Sequence, residues 1–277
     1  MNLTGQDLAA SAPPAPVEAA QGPVLPAERI GRLKRWLDRQ VTLEVEEVTL
    51  PISRRRYSIA KPDQASKDRL FAAARADPDR QMPHWAKAWA SGVALADVVV
   101  QRAEELAGHD VLELGAGLGT TACAILETGA SLITADYSVL SLAHCRYNTL
   151  VNARRAARAL RFNWRAPETP ALLGTQSRGG FRLILAADVL YEGRDVFPLL
   201  RLIERLLTPD GMLWLTEPHR KTAQRFMNTV VQHGWESDSR AVYGPWPDGT
   251  TDRVNVHFLR RATFLDRLPG ALAGWRI

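Results

Sequence analysis

The sequence predicts an α/β fold: a doubly wound, mostly parallel, seven-stranded Rossmann-like sheet with an antiparallel last strand, preceded by a small N-terminal α/β extension. Three observations carry this expectation. From about residue 110 onward, short apolar runs alternate with segments of helical periodicity, the pattern of strand–helix–strand units on a parallel sheet. The first run, Asp110–Leu114, closes on Gly115-Ala116-Gly117-Leu118-Gly119 and opens a helix. The second, Ser131–Ala135, ends on Asp136, about 20 residues after the first glycine, where a nucleotide-binding unit carries the carboxylate that accepts ribose hydroxyls.

Taken in order, residues 1–28 hold no Lys or Arg, carry Asp7, Glu18 and Glu28, and are rich in Ala, Pro and Gly. That composition excludes a secretory n-region, argues against an arginine-rich transit peptide and reads as a disordered leader. Ala27–Gln40 has helical spacing, with Ile30, Leu33, Trp36 and Leu37 on one face. Val41–Val45 and Val48–Ile52 read as strands, with Arg56–Ile59 a candidate third, and Lys67–Arg75 as a short helix that ends at Asp77-Pro78-Asp79. Residues 29–80 thus form a helix and β layer ahead of a main domain over 81–261, with 262–277 as a tail. In the segment Met82–Gly92, Trp85 and Trp89 are four apart and share a helix face, and an amphipathic helix follows to about Ala107.

The main domain predicts strands at Val111–Leu114, Leu132–Ala135, Ala159–Asn163, Leu183–Ala187, Gly211–Thr216, Glu236–Val242 and Val254–Arg260. Helices are expected at Thr120–Thr128, Ser138–Ala153, Val196–Leu207 and Lys221–His233. The last two strands are joined through Gly244-Pro245-Trp246-Pro247-Asp248-Gly249 without a helix, so they should pair as a hairpin and give an antiparallel edge.

Composition narrows the partners. At 277 residues and 46% hydrophobic, the chain can bury one full core plus an appendage, and no run of about 18 apolar residues spans a membrane. Its net charge of +5 rests on 30 Arg against 5 Lys. The cluster Arg146, Arg154, Arg155, Arg158, Arg161 and Arg165 has no interleaved aromatics, which favours a solvated helix face over a nucleic-acid surface. Cys123 and Cys145 fall on the helices flanking the glycine turn and read as small buried hydrophobes, consistent with a cytoplasmic protein.

The glycine turn is one residue shorter than the Gly-x-Gly-x-x-Gly of pyrophosphate binders, and Glu113 is read as sitting in it. A carboxylate suits a cationic aminoacyl group and not a phosphate, which points to S-adenosylmethionine. Asp136 then serves the ribose. Asn163 after strand three can hydrogen-bond an adenine edge, and Trp164 can stack on it. Ala186 and Ala187 let the chain approach a ligand closely. Asp188 then faces the methyl group with Tyr191 one turn on, and can orient an incoming amine. Glu217, His219 and Arg220 are placed at the substrate entrance, with His219 read as a surface residue. The Trp85/Trp89 pair reads either as core or as a lid over the site.

These motifs together resemble the methyltransferase-16 family of seven-β-strand protein lysine methyltransferases, over about residues 82–261. The resemblance rests on Trp89, Glu113-Leu114-Gly115-Ala116-Gly117-Leu118-Gly119, Asp136, Trp164 and Asp188-Val189-Leu190-Tyr191, all in order. It implies S-adenosylmethionine contacts at Trp89, Gly115, Ala116, Gly117, Asp136, Trp164 and Ala187, a substrate-side motif at Asp188 and Tyr191, and a lysine-bearing protein as acceptor. Glu113, Gly119 and Asn163 join that set on the reading above. Pro83–Trp89 is also similar to the leading segment of the branch that methylates the electron-transfer flavoprotein β-subunit, where Trp-Pro-Gly-Gly is usual in place of Trp89-Ala90-Ser91-Gly92. A small-molecule N- or O-methyltransferase, or a non-catalytic binding module on the same fold, stays open at this point.

Overall fold

The computed structural model describes residues 26–77, 80–166 and 179–262. The chain begins with α1 (Pro26–Asp38), a hairpin of β1 (Leu43–Thr49) and β2 (Arg56–Pro62), and α2 (Gln64–Arg75). A 3-10 turn at His84–Ala86 leads into α3 (Ala90–Gln101). The sheet domain follows as β3 (Asp110–Leu114), α4 (Thr120–Glu127), β4 (Ser131–Asp136), α5 (Val139–Asn152), β5 (Arg158–Arg161) and β6 (Phe181–Ala187). It ends with α6 (Val196–Leu206), β7 (Leu207–Glu217), α7 (Lys221–Gln232), β8 (Trp235–Tyr243) and β9 (Arg253–Arg261).

The seven strands lie in the order β5-β4-β3-β6-β7-β9-β8. All pairings from β5 to β7 are parallel, and β9 runs antiparallel to both β7 and β8. The chain winds outward from β3 in one direction to β5, then returns to β6 beside β3. The carboxyl ends of β3 and β6 therefore flank the switch point, where an open α/β sheet leaves a crevice. Alternate residues of each strand feed two apolar layers. Val111, Leu183 and Leu185 join α3 and α4 on one face, while Leu112, Leu114 and Ile184 join α6 and α7 on the other.

The hairpin of the last two strands forms the antiparallel end of the sheet, as expected. Val254, Val256, Phe258 and Leu259 of β9 are buried, whereas β8 carries Glu236–Arg240 largely exposed, so the apolar strand takes the inner place and the polar one the rim. Several expectations are corrected. Among the described residues the β layer has two strands and not the third, because β1 runs unbroken through Val45–Val48 and the expected second strand ends in a turn at 50–55. The helix after Trp89 is not amphipathic. It is buried almost all round between α4 on one side and β7 and β9 on the other, and its Asp97 accepts hydrogen bonds from the amides of Ile52 and Ser53. Trp85 lies in the 3-10 turn and Trp89 is an extended residue ahead of α3, so they share no helix face. Residues 26–28, placed with the leader, belong to α1, and the rest of the leader and all but the first residue of the tail lie outside the described residues. The extension has no core of its own, since Val48, Leu50, Tyr57 and Ile59 pack into the same layer as α3 and α4.

Three of the six arginines of the cluster bond locally. Arg155 donates to the carbonyls of Leu126 and Ala130, Arg161 to that of Tyr137, and Arg165 to Asp195.

Asn148 joins three parts of the fold. Fully buried on α5, it accepts from the Ala60 amide (2.9 Å) and donates to the carbonyls of Ala60 (2.9 Å) and Leu118 (2.8 Å), tying β2 to the glycine turn. Asn148→Ala strands these buried backbone groups and should cost about 2–4 kcal/mol in chemical denaturation. A cost near zero would show that the bridge contributes nothing.

Candidate active site

A cavity of about 550 Å³ opens at the switch point, lined by residues from five strand or loop ends. That volume suits a nucleoside-sized ligand. Gly115 and Gly117 come from the β3–α4 turn, Asp136 and Tyr137 from the end of β4, and Trp164 from the segment after β5. Ala187, Asp188, Tyr191 and Glu192 follow β6, and Arg220 follows β7. His84, Trp85 and Trp89 close it from the segment before α3.

The turn is shaped by its glycines. Gly115, Gly117 and Gly119 have φ of 81°, 51° and 87°, the left-handed region open mainly to glycine. A Cβ on Gly119 would stand 2.7 Å from the Cα of Cys145, and one on Gly115 would stand 2.9 Å from the Val189 side chain. At Gly117 the same position is open space. Thus Gly115 and Gly119 let α5 and the β6 loop approach, and Gly117 presents bare backbone to the cavity. Gly119, Ala116 and Glu113 line a smaller recess of about 60 Å³ that shares Trp89, Gly115, Gly117 and Ala187 with the main cavity.

Glu113 is on β3 and not in the turn, because pairing with β4 extends through Leu114. It is buried, and its carboxyl accepts from the Thr134 hydroxyl at 2.7 Å. Burial pushes its pKa up to about 8, which that hydrogen bond only partly opposes. Asp136 is also buried and raised by burial, against hydrogen bonds that stabilise its charge. It accepts from the amides of Ser138 (2.8 Å) and Gly117 (3.4 Å) and from the Ser141 hydroxyl (2.8 Å). These contacts fix the carboxylate between the turn and the start of α5, at the cavity wall.

Two ion pairs organise the remaining walls. Fully buried Asp195 accepts from the Trp164 indole at 2.8 Å and from Arg165 at 2.6 and 2.7 Å, which holds the indole in place. Asp188 has φ of 51°, its amide donates to the Thr216 carbonyl at 2.8 Å, and its carboxylate takes a two-pronged bond from Arg220 at 2.5 and 2.7 Å. Arg220 is anchored in turn, because its amide donates to Glu217 at 2.7 Å and Glu217 accepts from Asn255 at 2.5 Å. Glu217 therefore supports the entrance from behind and does not line it, while His219 is exposed, as expected.

An aromatic wall faces Asp188. The His84 ring lies 5.0 Å from Tyr191 and 6.4 Å from Trp89, centroid to centroid, and Trp89 donates its indole N–H to the His84 carbonyl at 2.6 Å. Trp85 is backed by His144 at 5.1 Å, whose pKa burial lowers to about 4. Lys87 sits 4.9 Å over the Trp89 ring and 3.0 Å from Asp248 of the β8–β9 turn, linking the lid segment to the far hairpin.

Of the residues singled out by sequence, the cavity brings together Trp89, Gly115, Gly117, Asp136, Trp164, Ala187, Asp188 and Tyr191. It does not gather Asn163, which is exposed, accepts from the Arg165 amide at 3.0 Å and lines an adjacent cavity that also touches Tyr137. Sequence reasoning missed His84, Tyr137 and Glu192 as lining residues and Asp195 as the anchor of Trp164. Position beside Trp85 and Asp136 was the available signal for the first two. The partnerships of Asp188 with Arg220 and of Trp164 with Asp195 span 32 and 31 residues and leave no mark in the sequence.

A family model described as lysine methyltransferase matches residues 82–233, more than half of the chain. Among curated proteins, the electron transfer flavoprotein beta subunit lysine methyltransferases of Danio rerio and Mus musculus are each 32% identical, over 115 and 111 residues. Each match covers 40% of this chain and 40% of the relative, so the chain spans less than half the length of the curated relatives it matches. Among solved structures, a ribosomal protein L11 methylase from Lactobacillus delbrueckii subsp. bulgaricus superposes with a TM-score of 0.48 at 18% identity, covering 64% of this chain and 81% of that one.

The raised pKa of Glu113 has a stability consequence. Between the ordinary value of 4.5 and about 8, the unfolded chain has released this proton while the native state keeps it, so the residue makes stability fall as pH rises through that window. Glu113→Gln keeps an acceptor for Thr134 and removes the titration. Denaturation at a series of pH values should show the variant gaining on the wild type from about pH 5 to 8, then levelling off. A difference independent of pH would mean that Glu113 stays ionised in the fold.

Proposed function

This chain belongs to the lysine methyltransferase family, and from that premise we propose that it transfers a methyl group from S-adenosylmethionine to a lysine side chain of a protein. The observation that carries the reading is the meeting, in one cavity, of a nucleoside-type floor with an anionic and aromatic wall. Gly117 and Asp136 form the floor, and Asp188, Tyr191, His84 and Trp89 form the wall.

The residues present fit the donor. The open space over Gly117 admits a ligand against bare backbone, and the Asp136 carboxylate at the wall is placed to accept ribose hydroxyls. Trp164, held by Asp195, offers a face for a purine, and Ala187 leaves room beside it. Glu113 faces the recess behind the turn, where a cationic aminoacyl group would favour its ionised form. When bound, the donor supplies an electrophilic methyl on a sulfonium, already activated for in-line displacement.

The protein's own task is to bring an amine into line and exclude water. The acceptor arrives as an ammonium of pKa about 10.4. Aromatic faces attract it, and the carboxylates of Asp188 and Glu192, each held by arginine, stand at the wall to orient it. Tyr191, raised by burial and by the neighbouring carboxylates, keeps its phenolic proton. The two buried free thiols suit a reducing, cytoplasmic setting. Because the curated relatives are named for it, the electron transfer flavoprotein β subunit of the source organism is the acceptor to try first.

The test is label transfer from methyl-tritiated S-adenosylmethionine to that subunit and, in parallel, to a lysate. Label should appear in a protein band, on lysine, and Asp188→Ala should reduce it about a hundredfold by misplacing the amine. Label confined to the small-molecule or nucleic-acid fraction would overturn the protein acceptor while leaving the donor. Donor binding with no transfer to any fraction would overturn the enzyme reading.

A further inference from the structure

We propose that His84 is the proton acceptor of the transfer, its imidazole taking a proton from the incoming ammonium so that the amine nitrogen can attack. The inference rests on the reading of the site as one that methylates an amine. Such a site needs somewhere for that proton to go, and the cavity offers few candidates.

Asp136 is engaged by Ser138, Ser141 and Gly117 on the nucleoside side. Both oxygens of Asp188 already accept from Arg220. Glu192 is opposed by burial but held below the usual carboxylate range by hydrogen bonds from Arg194 and Arg165. The phenols of Tyr137 and Tyr191 are pushed up by burial and stay protonated, and Tyr137 spends its O–H on the Met82 carbonyl. His84 remains. It lines the same wall, its ring edge-on to Tyr191 at 5.0 Å, and is packed from behind by Phe71 of α2 at 6.1 Å. Its charged neighbours are Arg220, Asp188 and Glu192. Burial and then the Arg220 cation lower its pKa, and no hydrogen bond among the described residues acts on its ring. It is thus a neutral imidazole near neutral pH, with a free nitrogen lone pair in the acceptor half of the cavity.

The step balances without a further reactant. The ammonium N–H bond breaks and its proton passes to the imidazole. The freed lone pair forms the nitrogen–carbon bond as the carbon–sulfur bond breaks, and that bonding pair stays on the neutral thioether. The imidazolium then loses its proton to solvent. Arg220 has a second use here: its cation opposes a positive charge at both the amine and the imidazole, favouring the neutral amine and prompt release of the proton.

His84→Phe keeps a ring in the wall and removes the base, so it separates the two roles. With the full chain, the electron transfer flavoprotein β subunit and tritiated donor, kcat near pH 7 should fall about a hundredfold while KM for the donor holds. The deficit should shrink as pH rises toward about 10, where the amine arrives neutral. A variant within about threefold of the wild type across that range would overturn the proposal. A wild-type protein that labels nothing would sink the amine-transfer reading instead. NMR titration of the His84 ring, which needs no acceptor, decides the point in either case. It should titrate below its ordinary 6.5 and move up in Arg220→Gln, whereas titration at or above 6.5, or no response to that substitution, counts against it.

Discussion

The fold depends on how closely the chain can pack around the turn between β3 and α4. At Gly119 the backbone of α5 approaches to a distance that leaves no room for any side chain, and at Gly115 the loop after β6 does the same. Both residues also need positive φ. This pair of contacts draws α5, which follows Asp136 at the end of β4, and the segment after β6, which opens on Asp188, to one point. A side chain at Gly119 would meet backbone, not a flexible tip, so the neighbouring helix itself would have to move. The cavity lies where it does because three elements converge on a turn too tight for anything but glycine.

Around that point the walls are set by charge. Asp195 is fully buried, and its partners Arg165 and Trp164 satisfy it while fixing the indole. Glu217, Asn255 and Arg220 relay support from β9, the innermost antiparallel strand, to Asp188. Removing one member of such a buried pair leaves the other unpaired, which is more costly than the pair is worth. The last hairpin, far along the chain, is in this way part of the site. It reaches the opposite wall too, through Lys87 and Asp248.

Much of this was legible in the sequence. The glycine spacing, the acid closing β4 and the Asp188–Tyr191 segment each carry a local signal that survives folding, and Gly115, Gly117, Asp136, Asp188 and Tyr191 line the cavity. The turn also reads correctly because its chemistry is local: positive φ selects glycine wherever it occurs. What failed was what depends on neighbours distant in the chain. Helix α3 looked amphipathic by its pattern, yet packing on two sides buries its polar Ser91 and Asp97 as well. The hairpin at the end of the sheet was legible from its connectivity, whereas the inner place of the apolar run Val254–Leu259 was not, because connectivity fixes pairing and not order. Glu113 was read into the turn although the expected strand Val111–Leu114 already contains it, and Asn163 turns away because it closes a local bend on Arg165. Arg220 was seen as a basic residue at an entrance, but its partner was not visible.

In this one cavity the methyl donor should lie against Gly117, Asp136 and Trp164, with its reactive end toward Asp188 and His84. A crystal structure with S-adenosylhomocysteine tests it most directly. The ribose hydroxyls should lie on the Asp136 carboxylate, the purine against Trp164 and the thioether sulfur facing the Asp188 side of the cavity. A ligand seated in the adjacent cavity beside Asn163, or one whose ribose ignores Asp136, would contradict it.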